Sequence, residues 1–332
     1  MTRVLVTGAA GFLGRHLVRL LTEYGNEVTA FDLAFDPPLD SGADIIKGSV
    51  TNQGDVARAV MDCDAAIHCA AITGLWAKDP NDFTRVNVEG TQTVLDSAFA
   101  AGITRVVHVS SFVTLITGGR GDLETVDERL ELPVEAMLGP YPRSKREAEL
   151  LCRAHPAGPM IVQPTAPIGP GDHSLTPPSR MLSEMANGDL PALIDCTWNF
   201  VDIRDLAEGV IAALEIGREG RRYLLGGTNM TTGEFAALFQ KVAGRPAPRM
   251  RVPHWVALAA AKAEAAIGAI RSGPPKAPLT GVRLAGPRRQ FDISRAMAEL
   301  EYTIRDPEES FRDALTWMAE AGQIDQGPKS NP

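Results

Sequence analysis

The stretch RVLVTGAAGFLG, residues 3–14, decides how the chain is read. A run of aliphatic and β-branched residues ends in glycines at positions 8, 11 and 14, and an amphipathic pattern, LGRHLVRLLTEY, follows at once. Glycine permits a tight turn and lets backbone approach a bound group. The helix behind it offers free N–H groups and the positive end of its dipole to a phosphate. The next strand-like run, EVTAFDL, ends in Asp32, at the separation expected of a carboxylate that binds an adenosine ribose. Such a carboxylate accepts from a 2′-hydroxyl and repels a 2′-phosphate, so NAD is expected and NADP is disfavoured. The alternative is that Asp32 caps its own loop while Arg3 or Arg15 reaches a phosphate. The glycine spacing, Gly-x-x-Gly-x-x-Gly, is one residue longer than the common dehydrogenase fingerprint.

Outward from this stretch, ADIIKGSV, DAAIHCAA, RVVHVSS and PMIVQPT repeat the strand pattern, with helical segments such as QGDVARAVM between them. The alternation predicts an α/β fold, a doubly wound parallel sheet of Rossmann type with helices on both faces. After residue 164 it breaks into Pro- and Gly-rich loops and helical segments near 178–188, 232–243 and 307–322. These predict a smaller substrate lobe interleaved with the end of the first. The expected division is 1–164 plus about 192–228 for the nucleotide domain, about 165–191 plus 229–322 for the second lobe, and a disordered tail over 323–332.

Composition narrows the function classes. The 332 residues are 44% hydrophobic, ample for a buried core, and the formal net charge is -8. No basic field exists for phosphate backbones, so nucleic acid is not an expected partner. Cys63, Cys69, Cys152 and Cys196 show neither paired nor metal-ligand spacing, which fits a reducing compartment and a cytoplasmic protein. No signal peptide is expected, and the sequence has no run of about 18 apolar residues. The nearest, WVALAAAKAEAAIGAI (255–270), is interrupted by Lys262 and Glu264. It reads as an amphipathic helix packed on its own domain in preference to a membrane-surface helix. His68 and His108 lie in apolar strands, read as hydrogen-bonded core residues, and no metal site is expected.

The segment GPYPRSKREAE (139–149) carries the chemistry. Tyr141 and Lys145 stand four apart and share one helix face. Proline is tolerated only in a first helical turn, so the helix should begin at Tyr141 or Pro142, with Arg143 and Arg146 forming a solvated basic surface. Hydride exchange at a secondary carbon requires a proton to move at the alcohol oxygen. Tyr141 is the candidate acid/base. Its ordinary pKa of about 10 would be pulled down by an ammonium one turn away, that of Lys145. A third group must orient the oxygen, and Ser111, ending RVVHVSS at the carboxyl edge of the sheet, fits, with Ser110 and Thr114 as near alternatives.

Together these motifs resemble the extended short-chain dehydrogenase/reductase family over nearly the whole chain. Further pieces of the likeness are HCAA (68–71), Asn87 in VNVEGT, HVSS (108–111), QPTAPIGPGD (163–172) and FVDIRDLAEG (200–209). GLWAKDP (74–80), YLLGGTNMTTGEF (223–235) and GRPAPRMRVP (244–253) resemble the hopanoid-associated sugar epimerase branch, whose neighbours are dihydroflavonol-4-reductase-like and 3β-hydroxysteroid dehydrogenase-like enzymes. The resemblance implies Ser111, Tyr141 and Lys145 as catalytic residues, with Lys145 also on the nicotinamide ribose. It implies a cofactor site at Gly8, Gly11, Phe12, Leu13, Gly14, Asp32, Leu33, Ser49, Val50, Cys69, Ala70, Ala71, Asn87, Val109, Pro164 and Ala166. Thr73, Trp76, Phe112 and His173 are expected on the substrate side, and a homodimer built on the Tyr141 helix is the family habit.

Departures sharpen the expectation. Phe112 and Val113 stand where the family's dehydratases carry an acidic pair, which disfavours elimination. Ala166-Pro167-Ile168-Gly169 replaces the Asn-Val-Tyr-Gly of nucleotide-sugar epimerases, so a non-nucleotide, more apolar substrate is expected. Ser49-Val50 stands in place of the usual acid after the third strand, leaving Ser49 for the adenine. The leading reading is an NAD-dependent oxidoreductase interconverting a secondary alcohol and a ketone on a lipid-, steroid- or phenol-like small molecule. An epimerase with tightly held cofactor is the alternative, and a non-catalytic NAD-binding regulator comes third.

Overall fold

The computed structural model describes residues 2–39, 41–117, 124–268, 279–285 and 289–325, with only the backbone over 265–268. The strands are β1 (Arg3–Thr7), β2 (Glu27–Asp32), β3 (Asp44–Lys47), β4 (Ala65–His68), β5 (Arg105–Val109), β6 (Glu124–Val126), β7 (Met160–Pro164), β8 (Ala166–Ile168), β9 (Ala192–Ile194), β10 (Thr197–Asp202), β11 (Arg222–Leu225), β12 (Thr228–Thr231), β13 (Met250–Val252) and β14 (Arg289–Phe291). The α-helices are α1 (Phe12–Glu23), α2 (Gln53–Ala59), α3 (Asn81–Thr84), α4 (Gly90–Ala100), α5 (Pro140–Ala154), α6 (Pro177–Asn187), α7 (Ile203–Ile216), α8 (Thr232–Ala243), α9 (His254–Gly268), α10 (Leu279–Leu284), α11 (Ser294–Leu300) and α12 (Pro307–Glu320).

Seven parallel strands form the main sheet in the order β11-β7-β5-β4-β1-β2-β3. The chain winds outward in both directions from β1, so the sheet has its switch point between β1 and β4, where ligands of such sheets bind. Alternation explains how one strand serves two layers. Val4 and Val6 pack into the layer of α1 and α7, and Leu5 packs into the opposite layer with Val94, Leu95 and Cys152. Each fully buried Leu or Val contributes roughly 2 kcal/mol relative to exposure.

The second lobe has its own core, where Phe200, Phe235 and Phe311 meet at ring centroid separations of 5.1, 5.2 and 5.7 Å. Its strands redraw the expected boundary. β9 pairs with β13, and β10 pairs with β8 and β12, so neither belongs to the main sheet. Within 192–228, β11 joins the main sheet beside β7, α7 packs on that sheet, and α11 packs on α7 and β11. The expected tail also begins later: Ile324 is buried, and Gln323 donates to the Asp172 carbonyl at 3.1 Å and accepts from Ser183 at 2.6 Å. Residues 326–332 lie outside the described residues.

Candidate active site

Gly8 opens the turn after β1 at φ +69, a left-handed conformation, and a Cβ there would lie 2.7 Å from the Ala70 backbone nitrogen. A Cβ on Gly14 would lie 2.0 Å from the Gly8 carbonyl oxygen, so α1 can approach the turn only with glycine at that position. Gly11 begins α1 and no side chain caps the helix. An uncapped N-terminus on a cradle that any Cβ would fill suits a dinucleotide pyrophosphate. Asp32, ending β2, is fixed beside it by N–H donors from Ala10 at 2.9 Å and Leu33 at 2.7 Å.

The two arginines weighed as phosphate partners are engaged elsewhere. Arg3 lies at the amino end of β1, the far edge of the sheet, paired with Glu27 and Asp44. Arg15 donates to the carbonyls of Ala10, Pro37 and Pro38. Ser49 lines the cavity beside Val50. The acid of this loop is Asp55, six residues on, which accepts from the Ser49 N–H at 3.1 Å.

Helix α5 starts at Pro140, one residue earlier than expected. Gly139 precedes it at φ +140, where a Cβ would stand 2.5 Å from Thr280 Oγ1. Tyr141 is therefore in the first turn, 7% exposed, and its ring lies 6.1 Å from that of Phe83. Ser111, two residues beyond β5, accepts from the Val113 N–H at 3.4 Å and stands near enough to the Tyr141 hydroxyl to lower its pKa. Lys145, one turn deeper, donates to the Val109 carbonyl at 2.9 Å. All three line one cavity.

The electrostatics correct one expectation. Burial dominates at Tyr141 and raises its pKa above the ordinary 10, the nearby Ser111 opposing this, and Lys145 makes no resolved contribution. The lysine is itself pushed down to about 8 by burial. His68 is held near 3 by burial and by Lys145, and is a neutral imidazole bonded to Thr7 at 2.7 Å and Thr91 at 3.0 Å. His108, its ring tilted against that of His68 at 5.4 Å, has no hydrogen-bond partner at either ring nitrogen among the described residues.

Arg146 departs furthest from its expected place on a solvated surface. It is buried, donates to the Leu132 carbonyl at 2.7 Å, and pairs with Glu131 at 3.0 Å and Glu149 at 3.2 Å; Arg143 is exposed as expected. Glu149 was absent from the sequence-level candidates. It is fully buried, and one of its oxygens accepts from Ser110 at 2.5 Å, Thr114 at 2.8 Å and Gln163 at 2.9 Å. The pair Ser110-Ser111 thus divides its labour: Ser110 anchors the end of β5 to α5, and Ser111 faces the cavity. Its only local signal is position, four residues beyond Lys145 and so on the same helix face.

The cavity of about 830 Å³ runs from the glycine turn past Tyr141 into the second lobe. Every expected cofactor residue lines it except Asn87. Asn87 sits in a π-helical turn (Arg85–Glu89) between α3 and α4. Its amide donates to the Ile72 carbonyl and to Ser144 Oγ, both at 3.0 Å, and accepts from the Ile72 N–H at 2.8 Å. It ties the loop after β4 to α5 and touches no part of the cavity.

On the substrate side, Thr73 and Phe112 line the wall; Trp76 and His173 do not. Trp76 is 43% exposed, and His173 packs edge-on against Trp317 at 5.1 Å. Residues no motif marked line it as well, among them the apolar Met181, Trp198, Leu284 and Phe291 and the polar Thr176, Thr197 and Asn199. Phe112 and Phe291 meet edge-to-face at 5.6 Å. Arg289 lines the cavity, as Arg85 does, and its guanidinium donates to the carbonyls of Leu284 and Thr117, both at 2.6 Å, beside Glu124 at 3.5 Å.

Comparison with known proteins agrees with this geometry. Residues 4–226 match the NAD dependent epimerase/dehydratase family. A Synechocystis sp. protein whose name assigns it provisionally as a dihydroflavonol 4-reductase is 33% identical over 96% of this chain and 95% of its own length. Sterol demethylase protein B of Methylococcus capsulatus is 29% identical over 96% of this chain and 99% of its own. The crystal structure titled gox2253 superposes with a TM-score of 0.85 at 27% identity, covering 98% of this chain and 100% of that one.

Proposed function

The chain belongs to the NAD dependent epimerase/dehydratase family, and from that premise we propose that it interconverts a secondary alcohol and a ketone on an apolar, non-nucleotide substrate. The observation that carries the proposal is the presence of Ser111, Tyr141 and Lys145 in the lining of one cavity whose surface is mostly apolar. NAD, when bound, accepts or supplies the hydride. The uncapped α1 and Gly8 fit its pyrophosphate, and Asp32 fits its adenosine ribose and disfavours a 2′-phosphate.

Tyr141 holds the proton that must reach or leave the substrate oxygen. Because burial raises its pKa, the hydroxyl is protonated at neutral pH, which suits it to donate to a ketone. Ser111 donates to the oxygen on which charge develops. Lys145 supplies a cation beneath both, anchored on the Val109 carbonyl. The apolar lining of Phe112, Met181, Trp198, Leu284 and Phe291 suits a hydrocarbon surface better than a sugar diphosphate, and Arg289 gives two of its donors to carbonyls. The sterol name of the Methylococcus capsulatus relative points the same way.

Steady-state turnover with NAD(H) and NADP(H) against a panel of hydrophobic alcohols and ketones tests the reading. Turnover with NAD(H) is expected, and inactivity with both cofactors across the panel overturns it. The alternative, an epimerase, uses the same three residues to oxidise and re-reduce one carbon, and would retain NAD through purification; exchangeable cofactor is expected instead. A homodimer through α4 and α5 fits the outward placing of Phe99 and Leu150, 52% and 40% exposed. The four free cysteines fit a cytoplasmic site of action.

A further inference from the structure

Helix α9 has no polar face. From Trp255 to Glu264 it reads WVALAAAKAE, charged only at Lys262 and Glu264. A helix apolar all round belongs in a protein core or in lipid. Here the inward side buries Ala261, while Trp255, Ala259, Ala260 and Ala263 share an exposed stripe, Trp255 at 72%. The preceding strand β13 adds Met250, 56% exposed. The charge is as uneven as the hydropathy. Between Gly244 and Ala263 stand four Lys or Arg and no Asp or Glu, in a chain with 33 basic and 41 acidic residues. Exposed Arg249, Arg251 and Lys262 form no ion pair among the described residues.

Apolar side chains flanked by unpaired cations match one occupant, the surface of a bilayer carrying anionic phospholipid. Tryptophan settles there at headgroup depth, and basic residues are drawn by the negative surface. Helix α9 is also joined to the cavity. His254 bonds the Val282 carbonyl at 2.8 Å, and α10 contributes Gly281 and Leu284 to the cavity wall. We propose that β13 and the outward stripe of α9 dock this protein on anionic membrane, next to the α10 wall of its apolar cavity. The link to substrate entry rests on the hydrophobic-substrate reading above; the docking itself does not.

Co-sedimentation with vesicles of phosphatidylcholine, alone or mixed with phosphatidylglycerol, tests the surface, with NAD(H) turnover of a water-soluble ketone measured in parallel. The protein should sediment with the anionic vesicles and not the neutral ones. Trp255→Ala and the double variant Arg249→Glu/Arg251→Glu should each lower binding about tenfold or more while soluble turnover and melting temperature stay unchanged. Absence of binding to anionic vesicles, or variants that bind as well as the parent, overturns the proposal. So does a change in solution mass caused by Trp255→Ala, which would assign the stripe to a second copy of the chain. Docking without turnover would spare this proposal and sink the catalytic one, and the reverse result would do the opposite.

Discussion

Lys145→Met should abolish turnover and yet make the apoprotein more stable at neutral pH. Lys145 is 3% exposed and its ammonium keeps a single described hydrogen bond, to the Val109 carbonyl at 2.9 Å. Burial brings its pKa from 10.5 to about 8. At about 1.4 kcal/mol for each tenfold change, holding the charge inside costs the fold about 3 kcal/mol wherever both folded and unfolded chains carry it, which is below pH 8. Between about 8 and 10.5 the folded protein releases this proton first, so the cost fades and stability rises with pH through that window. Methionine fills the stem's volume without the charge and gives up one hydrogen bond of about 1 kcal/mol, leaving a net gain of about 2 kcal/mol at pH 7. Thermal unfolding of cofactor-free protein, followed by circular dichroism, should place the variant several degrees above the parent, on the order of 4–8 °C. The gap should close toward pH 10. A variant that melts below the parent at pH 7, or a gap that does not change with pH, refutes the argument that the site lysine is held there against its own solvation.

Three further outcomes follow from the site's geometry. Asp32→Ala removes a charge that would stand a few ångströms from a 2′-phosphate, worth about 2 kcal/mol, so the ratio of NADP to NAD efficiency should rise roughly thirtyfold in steady-state kinetics. Gly14→Ala forces a Cβ to 2.0 Å from the Gly8 carbonyl, and should cost about 1–3 kcal/mol by urea unfolding together with most of the NAD affinity by fluorescence titration. Glu149→Gln takes from the buried Arg146 guanidinium one of its two carboxylates, leaving Glu131, and loosens Ser110 and Thr114; unfolding free energy should fall by about 2 kcal/mol, and kcat should fall while NAD affinity holds.

What the sequence disclosed and what it hid follow a common rule of range. The glycine turn, Asp32 and the Tyr141–Lys145 pair are local patterns whose chemistry fits within a strand, a turn or one helical turn, and all of them line one cavity. Ser111 needed only the added knowledge that β5 ends at the carboxyl edge of the sheet. Residues whose meaning depends on distant partners were misplaced. Arg146 resembled its exposed neighbour Arg143 until Glu131 and Glu149 were brought to it. Glu149 finds Ser110 across 39 positions and Gln163 across 14. Asn87 carries the spacing of a ligand contact, but its amide is consumed by Ile72 and Ser144. The substrate wall is assembled from α6, β10, α10 and β14, four segments with no shared motif, two of them strands of six residues or fewer. Short strands such as β9, β13 and β14, three residues each, carry too little alternation to be read in advance, and they set the boundary of the second lobe.

The most direct test of the account is turnover by Tyr141→Phe beside the parent enzyme, with NADH and whichever hydrophobic ketone the panel selects, after both proteins are shown to bind NADH equally. The phenylalanine keeps the ring packed against Phe83 and removes only the hydroxyl beside Ser111. Proton transfer from a positioned group contributes about 10²–10⁴-fold, so kcat should fall by that factor with cofactor affinity intact. A variant that turns over at the parental rate would contradict the central claim that Tyr141 moves the proton.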